Sequence, residues 1–499
     1  MTSEVPLNRV DRGPSFIQFV LQPAHRRYLY IALGGIVGQL ILFKLLYPFA
    51  DYLPDSYGFI ATAATHEGFD IWPVGYAWFL YGFHQLTHSD TALVVFQYLF
   101  LETAILLFFF TLLYPYSLSP IITQVLLVAL VFNPLSLYVS NYIAGDALFA
   151  TLSILWFTSL LWMLHRPRLW LLVPHGVLLV VAFTVRYEAI YYPLVSLVVF
   201  LLSPYTRNVR IAGLGVPVVV ILIFVQYTRD EAYRLTGVHQ LSVLTDWHSG
   251  NNALYMYEHI RVDSTRIPYR AMPFHRMTQA YFDTLPDQWR GFTPRMGGIY
   301  LQHPHSPLKQ YLTRYEHEHP DVPTIEHWGQ VAPIFGIYAT HLIKQHPLAY
   351  TRYYILPNTW NYFFPPLEHL ATYNAGTPQV HPTAAQWFNY PSTQVRAAST
   401  GLSSMALFLV PIFFLIINLT FLAASIWFTI KRHWKHSPLI WPALTLAAAL
   451  WILTAGFNIL TSPVALRHLL FPMIIFSGFA ALLTNLWLNK PTPNPPRIS

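Results

Sequence analysis

The chain has 499 residues, 54% of them hydrophobic and only 10% charged, with a net charge of +7 and no cysteine. Soluble domains carry about a quarter charged residues, so a large soluble core is excluded and an integral membrane protein is expected. The absence of cysteine excludes disulfides, thiolate nucleophiles and cysteine metal sites, and the modest positive charge reads as basic cytoplasmic loops rather than a nucleic-acid surface.

A membrane-crossing helix needs about 20 apolar residues. The first such run, 29–49, follows a polar start through Arg26 and Arg27 with no small-residue cleavage site, so a span rather than a removed signal is expected. Further runs lie near 92–113, 119–137, 145–164, 169–185, 189–203, 209–227, 403–430, 437–456 and 466–488, which makes ten. The fifth and sixth are short and nearly continuous, as in a broken or re-entrant helix.

Charge orders these runs. With the N-terminus in the cytoplasm, one side receives Arg9, Arg12, Arg26, Arg27, Arg166, Arg168, Arg207, Arg210, Lys431, Arg432, Lys435, Lys490 and Arg497, against Glu4 and Asp11 alone. The short loops on the other side hold Asp51, Asp55, Glu67, Asp70, Asp90, Asp146 and Glu188, with Arg186 and Arg467 as their few basic residues. Basic residues stay inside, so a multi-pass protein with both termini cytoplasmic is expected. The segments are then a cytoplasmic start (1–28), a membrane module (29–227), an exoplasmic domain (228–402), C-terminal spans (403–488) and a cytoplasmic tail (489–499). The region 228–402 is rich in His, Pro and aromatics and has the size of one domain. Within it, "APIFGIYATHLIKQHP" puts Ile334, Phe335, Tyr338 and Leu342 on one helical face, while His341 and Lys344 argue against a span.

The threading gathers polar residues at the outer mouths of apolar helices: Asp51 and Asp55; Asn141 and Asp146; Arg186 and Glu188; Asn458, Arg467 and His468. Ionisable groups in such places are costly and often mark a site. One carboxylate suits a general base and another a divalent cation. Pro54 argues against a single helix carrying both Asp51 and Asp55. An arginine fork suits phosphate oxygens. The plainer readings are a solvated loop that avoids positive charge, and arginines that snorkel to lipid headgroups.

Several of these stretches resemble the GT-C superfamily of membrane glycosyltransferases, in the style of its protein O-mannosyltransferase and aminoarabinose transferase branch. "DSYGFIATA" (55–63) is similar to the family's acidic first-loop motif, and "WPVGYAWFL" (72–80) to the stretch leading to the second span. "AGDALFATLSILW" (144–156) resembles the second-loop Asp that opens the fourth span. "VRYEAIYYPL" (185–194) resembles the Arg–aromatic–acidic turn, and "RHLLFP" (467–472) the Arg-Tyr-Leu-x-Pro opening of a late span. The likeness covers 29–227 and the last two spans but not 228–402. It departs at Ser56, where that branch often has Glu, so a base role suits Asp55 better than a metal role.

The resemblance implies an all-α helical bundle that moves a sugar from a polyprenyl-phosphate donor to a glycan, lipid or protein acceptor on the outer face. It implies Asp55, with Asp146 and Asp51, as catalytic carboxylates, and Arg467, Arg186 and His468 as the donor-phosphate site. Tyr57, Glu188 and Asn141 would line the substrate. A divalent cation, Mg²⁺ or Mn²⁺, would sit on Asp146 and Asp55. A cell inner membrane with 228–402 in the periplasm is the implied location. A transporter or flippase and a non-catalytic scaffold on such a fold are the alternatives; Glu102, in the second span, is the one strong mid-membrane acid a transporter would use. Lys44 is placed to snorkel or meet a lipid phosphate. The bunched His303, His305, His317, His319 and His327 suit zinc chemistry or, in the favoured reading, a Pro-broken solvated loop. The aromatic 356–366 stretch is expected to pack the domain on the membrane.

Overall fold

A computed structural model describes residues 14–435 and 437–488. Arg9, Arg12, Glu4, Asp11, Lys490 and Arg497, used above to orient the chain, lie outside the described residues. Among the described residues the fold is helical, with isolated bridges and no strand. Eight helices among the described residues are long and apolar enough to cross a membrane: Pro23–Leu46, Asp90–Leu113, Pro120–Asn141, Asp146–His165, Arg207–Thr236, Leu402–Ile430, Ile440–Thr461 and Leu466–Leu488. Two shorter apolar helices, Leu169–Val185 and Tyr187–Leu202, stand between the fourth and fifth of these.

The helices are not equivalent. The apolar windows of Asp146–His165 and Leu466–Leu488 are 83% buried, whereas those of Pro23–Leu46 and Arg207–Thr236 are 17% buried. The first two therefore form the centre and the other two lie at the outside of the bundle. Both central helices begin at charged residues: Asp146 opens one, and Arg467 and His468 sit in the first turn of the other. Their opposite ends meet too, through Ser119 N–H donating to Asn485 Oδ1 (2.9 Å) and a bond of 2.6 Å between Tyr116 and His165. Contacts thus sort the helix ends into two sets, as alternating passage requires.

Local chemistry sets the breaks. Pro54 occupies the first turn of Pro54–Thr65, where its missing N–H costs nothing. Asp51 therefore stays outside that helix, in extended backbone paired with the turn after Asn141: Asp51 N–H donates to Asn141 O (2.9 Å) and Ile143 N–H to Asp51 O (3.1 Å). Between the two shorter helices, Arg186 adopts an extended conformation (φ −148°, ψ 127°). That break lifts Arg186 and Glu188 to the helix mouths. At Gly75 a Cβ would lie 2.5 Å from the Thr184 carbonyl carbon, so only glycine lets the first loop approach this break.

The expected domain boundary at 228 falls inside a helix. Arg207–Thr236 carries Pro217 within it and runs on past the apolar window, because no Pro or Gly follows 227 until Gly237, whose φ of +70° ends it. The region beyond divides by its packing. One core contains Trp247, Phe274, Phe335, Tyr338, Leu342 and Tyr354. The later residues Tyr362, Leu370, Tyr373, Val380 and Phe388 belong instead to the core of the membrane module. The helix Thr324–Gln345 buries Phe335, Tyr338 and Leu342, while Ile334 is only partly buried.

In the His-rich stretch His303, His305 and His319 lie in the proline-bounded turns expected there, and only His317 and His327 are helical. Between and after these turns run the helices Pro307–Glu318, with a proline in its first turn, and Thr324–Gln345. The aromatic 356–366 stretch forms the helix Leu356–Phe363. There Asn358 Nδ2 donates to Ile459 O (2.8 Å) and Ser462 O (2.9 Å), and Oδ1 accepts from Val464 N–H (2.9 Å). One buried amide thereby fixes the turn just before Arg467, while Leu356 and Trp360 face outward.

Candidate functional site

The start of the last helix brings four stretches together. Arg186 Nη1 donates to Asp146 Oδ1 at 2.6 Å, and Arg186 Nε lies 3.7 Å from Glu188 Oε2. Asn458 Nδ2 donates to the other Glu188 oxygen at 3.1 Å. Arg467 stands between two carboxylates, with Nη1 3.4 Å from Asp146 Oδ2 and Nη2 3.7 Å from Asp55 Oδ2. His468 Nε2 is 4.0 Å from Asp146 Oδ1. Of the expected site residues, the structure therefore joins Asp55, Asp146, Arg186, Glu188, Arg467 and His468.

The two arginines are held differently. A distance of 2.6 Å is that of a strong charge-assisted bond, and it commits Arg186 to fixing Asp146. At 3.4 and 3.7 Å the Arg467 fork is charge-paired but at or beyond hydrogen-bond reach. Its Nε is buried with no partner among the described residues. Arg467 thus has donors to offer a ligand. Exposure separates the carboxylates as well: the Asp55 side chain is 31% exposed and that of Asp146 only 5%.

The remaining expected residues lie beside this cluster. Asp51 is buried, and Oδ1 accepts from Asn374 N–H at 2.8 Å. Burial pushes its carboxyl up to about 8, against the lowering effect of backbone hydrogen bonds. Asn141 supports the same backbone pairing, and Tyr57 stacks on Tyr52 at 5.9 Å. Glu102 is buried within Asp90–Leu113 beside Ser136, and it enters none of the site's ion pairs. Lys44 Nζ is likewise buried, with no hydrogen-bond partner among the described residues and Asp90 within electrostatic reach. Asp70 bonds Thr62 and Ile71 N–H rather than the arginines. Asp90 acts as a knot, accepting from Ala50 N–H and the Tyr390 hydroxyl at 2.8 Å each.

Sequence reasoning missed three residues, all from the region past 228. Glu368 lies within electrostatic reach of Arg467 and Asp55. So does His369. His248 lies within electrostatic reach of His468, and burial holds its imidazole down to about 4. The loop carrying Glu368 and His369 is anchored at four points. Leu466 N–H donates to Pro366 O (3.1 Å) and Tyr142 Oη to His369 O (2.9 Å). Tyr373 Oη donates to Ala50 O (2.9 Å), and Asn374 N–H donates to Asp51. Glu368 itself has φ +48°, and Asn374 and Ala375 have φ +46° and +50°. Left-handed backbone at non-glycine residues costs about 1–3 kcal/mol each and persists where the surroundings enforce it. The available signal was "PPLEHLATYNAG" (365–376), an acid–His pair bounded by turn residues.

These contacts assign Asp51 the job of an anchor. Asp51→Asn keeps the acceptor for Asn374 and is expected to change turnover by less than about threefold, whereas losing that bond in Asp51→Ala costs about 1–3 kcal/mol. The sign with pH follows from the raised folded value. Asp51's contribution is greatest below its unfolded value of 3.8 and is lost as pH rises through about 8. Thermal unfolding in nanodiscs should therefore show Asp51→Asn gaining on the wild type more at pH 9 than at pH 5.

The carboxylates do not make a divalent-ion donor set in this arrangement. Both Asp146 oxygens face arginines, and the gap between Asp146 and Asp55 holds Arg467. A dication there would have to displace a guanidinium. Among the described residues no group of three or more His, Asp or Glu side chains is placed to hold a metal ion, the bunched histidines included. No protein-family model, curated protein or solved structure matches the chain.

Proposed function

We propose that this multi-pass membrane protein is a glycosyltransferase that moves a sugar from a polyprenyl-phosphate carrier to an acceptor hydroxyl at the outer face of a cell inner membrane. Ten crossings, cytoplasmic termini and a periplasmic 228–402 region go with this reading. The observation that carries it is Arg467: a guanidinium loosely paired with carboxylates from two separate loops, at the mouth of one of the two most buried helices. A lipid-linked donor needs its tail among apolar helices and its phosphate at their mouth, where such a cation can take the charge that develops on bond cleavage. Asp55, the more open carboxylate, is the base for the acceptor hydroxyl. Arg186 positions Asp146, and His468 completes the phosphate side. The ordered likeness to GT-C motifs at 55–63, 144–156, 185–194 and 467–472 supports the same assignment. Arginine, rather than a bound metal, supplies the positive charge.

The test uses full-length protein in nanodiscs and a panel of polyprenyl-phosphate sugars, with and without EDTA, following sugar release or transfer. Transfer that persists in EDTA is expected. A panel that gives no binding and no release would sink the transferase reading in favour of a transporter or scaffold. Turnover lost in EDTA and restored by Mg²⁺ or Mn²⁺ would replace the arginine-only account while keeping transfer.

A further inference from the structure

We infer that Glu368, from the region beyond the membrane module, is the proton donor to the phosphate oxygen that departs when the sugar–phosphate bond breaks. This rests on the transferase reading and extends it to a second carboxyl group with a role distinct from that of Asp55. The loop is held for the purpose. Its Pro366 carbonyl accepts from Leu466 N–H, the residue before Arg467, and its His369 carbonyl from the Tyr142 hydroxyl. The left-handed φ of +48° turns Glu368 at that place, although glycine would adopt this backbone without strain. The opposing wall is cut to fit: a Cβ on Gly297 would lie 2.6 Å from Glu368 Oε1. Tyr255, whose hydroxyl bonds the Gly297 carbonyl, closes that side.

Charge then selects the protonation state. Asp55, Asp146, Glu188 and Glu368 share the site with two guanidiniums, Arg186 and Arg467. An arriving phosphate adds another anion, and a fourth ionised carboxylate beside it would oppose binding. The titratable and charged groups whose fields reach Glu368 are Arg467 of the last helix, Asp55 of the first-loop helix, Tyr142 of the turn before Asp146 and Tyr255 of the outer core, with His369 next in the chain. Burial, the largest effect, raises its carboxyl to about 7; Arg467 lowers it and Asp55 raises it further. A phosphate anion raises it again, so the bound state favours the acid form. Two carboxyl groups in unlike settings, one accepting and one donating, divide the acid and base work.

The step balances. The acceptor oxygen bonds to the anomeric carbon and its proton passes to Asp55. The bond from that carbon to the phosphate oxygen breaks, its electron pair stays on the oxygen, and the Glu368 proton goes there. The lipid phosphate leaves as a monoanion rather than a dianion, and solvent returns the proton from Asp55 to Glu368.

The experiment measures kcat/KM between pH 5.5 and 9 in nanodiscs, using the donor the panel identifies. The wild type should show a basic limb with a midpoint near the value of about 7 held by Glu368. Glu368→Gln should lower kcat by about 100-fold or more, lose the basic limb, and leave donor affinity at pH 6 within about threefold. Glu368→Asp should keep the limb at reduced rate, which a merely structural role would not produce, and it serves if the Gln variant fails to fold. Wild-type turnover in Glu368→Gln, or an unchanged limb, overturns the inference while transfer stands. A wild type inactive across the panel overturns both.

Discussion

Asp55→Asn is expected to abolish sugar transfer while the protein still folds and binds its donor. A positioned base contributes about 10²–10⁴-fold to rate, and asparagine keeps the shape without the ability to take the proton. The fold should tolerate the change. Asp55 is 31% exposed and lies 3.7 Å from Arg467, outside hydrogen-bond reach, so removing its charge costs at most about 1 kcal/mol of ion pairing. Its place in the first turn of Pro54–Thr65 adds about 0.3–1 kcal/mol of helix-dipole stabilisation that asparagine forgoes. Thermal unfolding and donor binding in nanodiscs should thus be nearly unchanged while single-turnover transfer falls to background. Turnover near the wild-type rate would end the base assignment and pass that role to another carboxylate of the cluster.

The contrast with Asp51 shows what a sequence conveys. Both acids stand in one short stretch after the first apolar helix, and both invite a catalytic reading. What separates them is the pairing of Asp51 with 141–143 and Asn374, contacts of long sequence separation that no local pattern encodes. Asp146, Arg186, Glu188, Asn458 and Arg467 were legible because apolar helices alternate in direction, which turns distant mouths into neighbours. Glu368 was not, because its loop reaches the site by left-handed backbone and by bonds to Leu466 and Tyr142. The end of Arg207–Thr236 was misplaced for a different reason. Apolar character stops where lipid would, whereas the helix continues until Gly237. Hydropathy reports the surroundings of a helix rather than its length.

The second large effect separates the arginines. Arg467→Ala should weaken donor binding about 10–100-fold, the worth of a hydrogen bond to a charged group, and lower kcat by about 10²–10³ through lost stabilisation of the departing charge. The fold should survive, because Asp146 keeps its bond of 2.6 Å to Arg186. Arg186→Ala is expected to do the opposite. It strips Asp146 of its tight partner and Glu188 of its nearest cation, and breaking such a buried pair costs about 3–5 kcal/mol. Lysine discriminates further: Arg467→Lys retains a point charge for phosphate but loses the fork, so it should recover part of the binding and little of the rate. Donor affinity and Tm measured on all three variants decide the assignment. Unchanged affinity in Arg467→Ala would remove that residue from the phosphate site. A stable Arg186→Ala protein with weakened donor binding would put Arg186 there in its place.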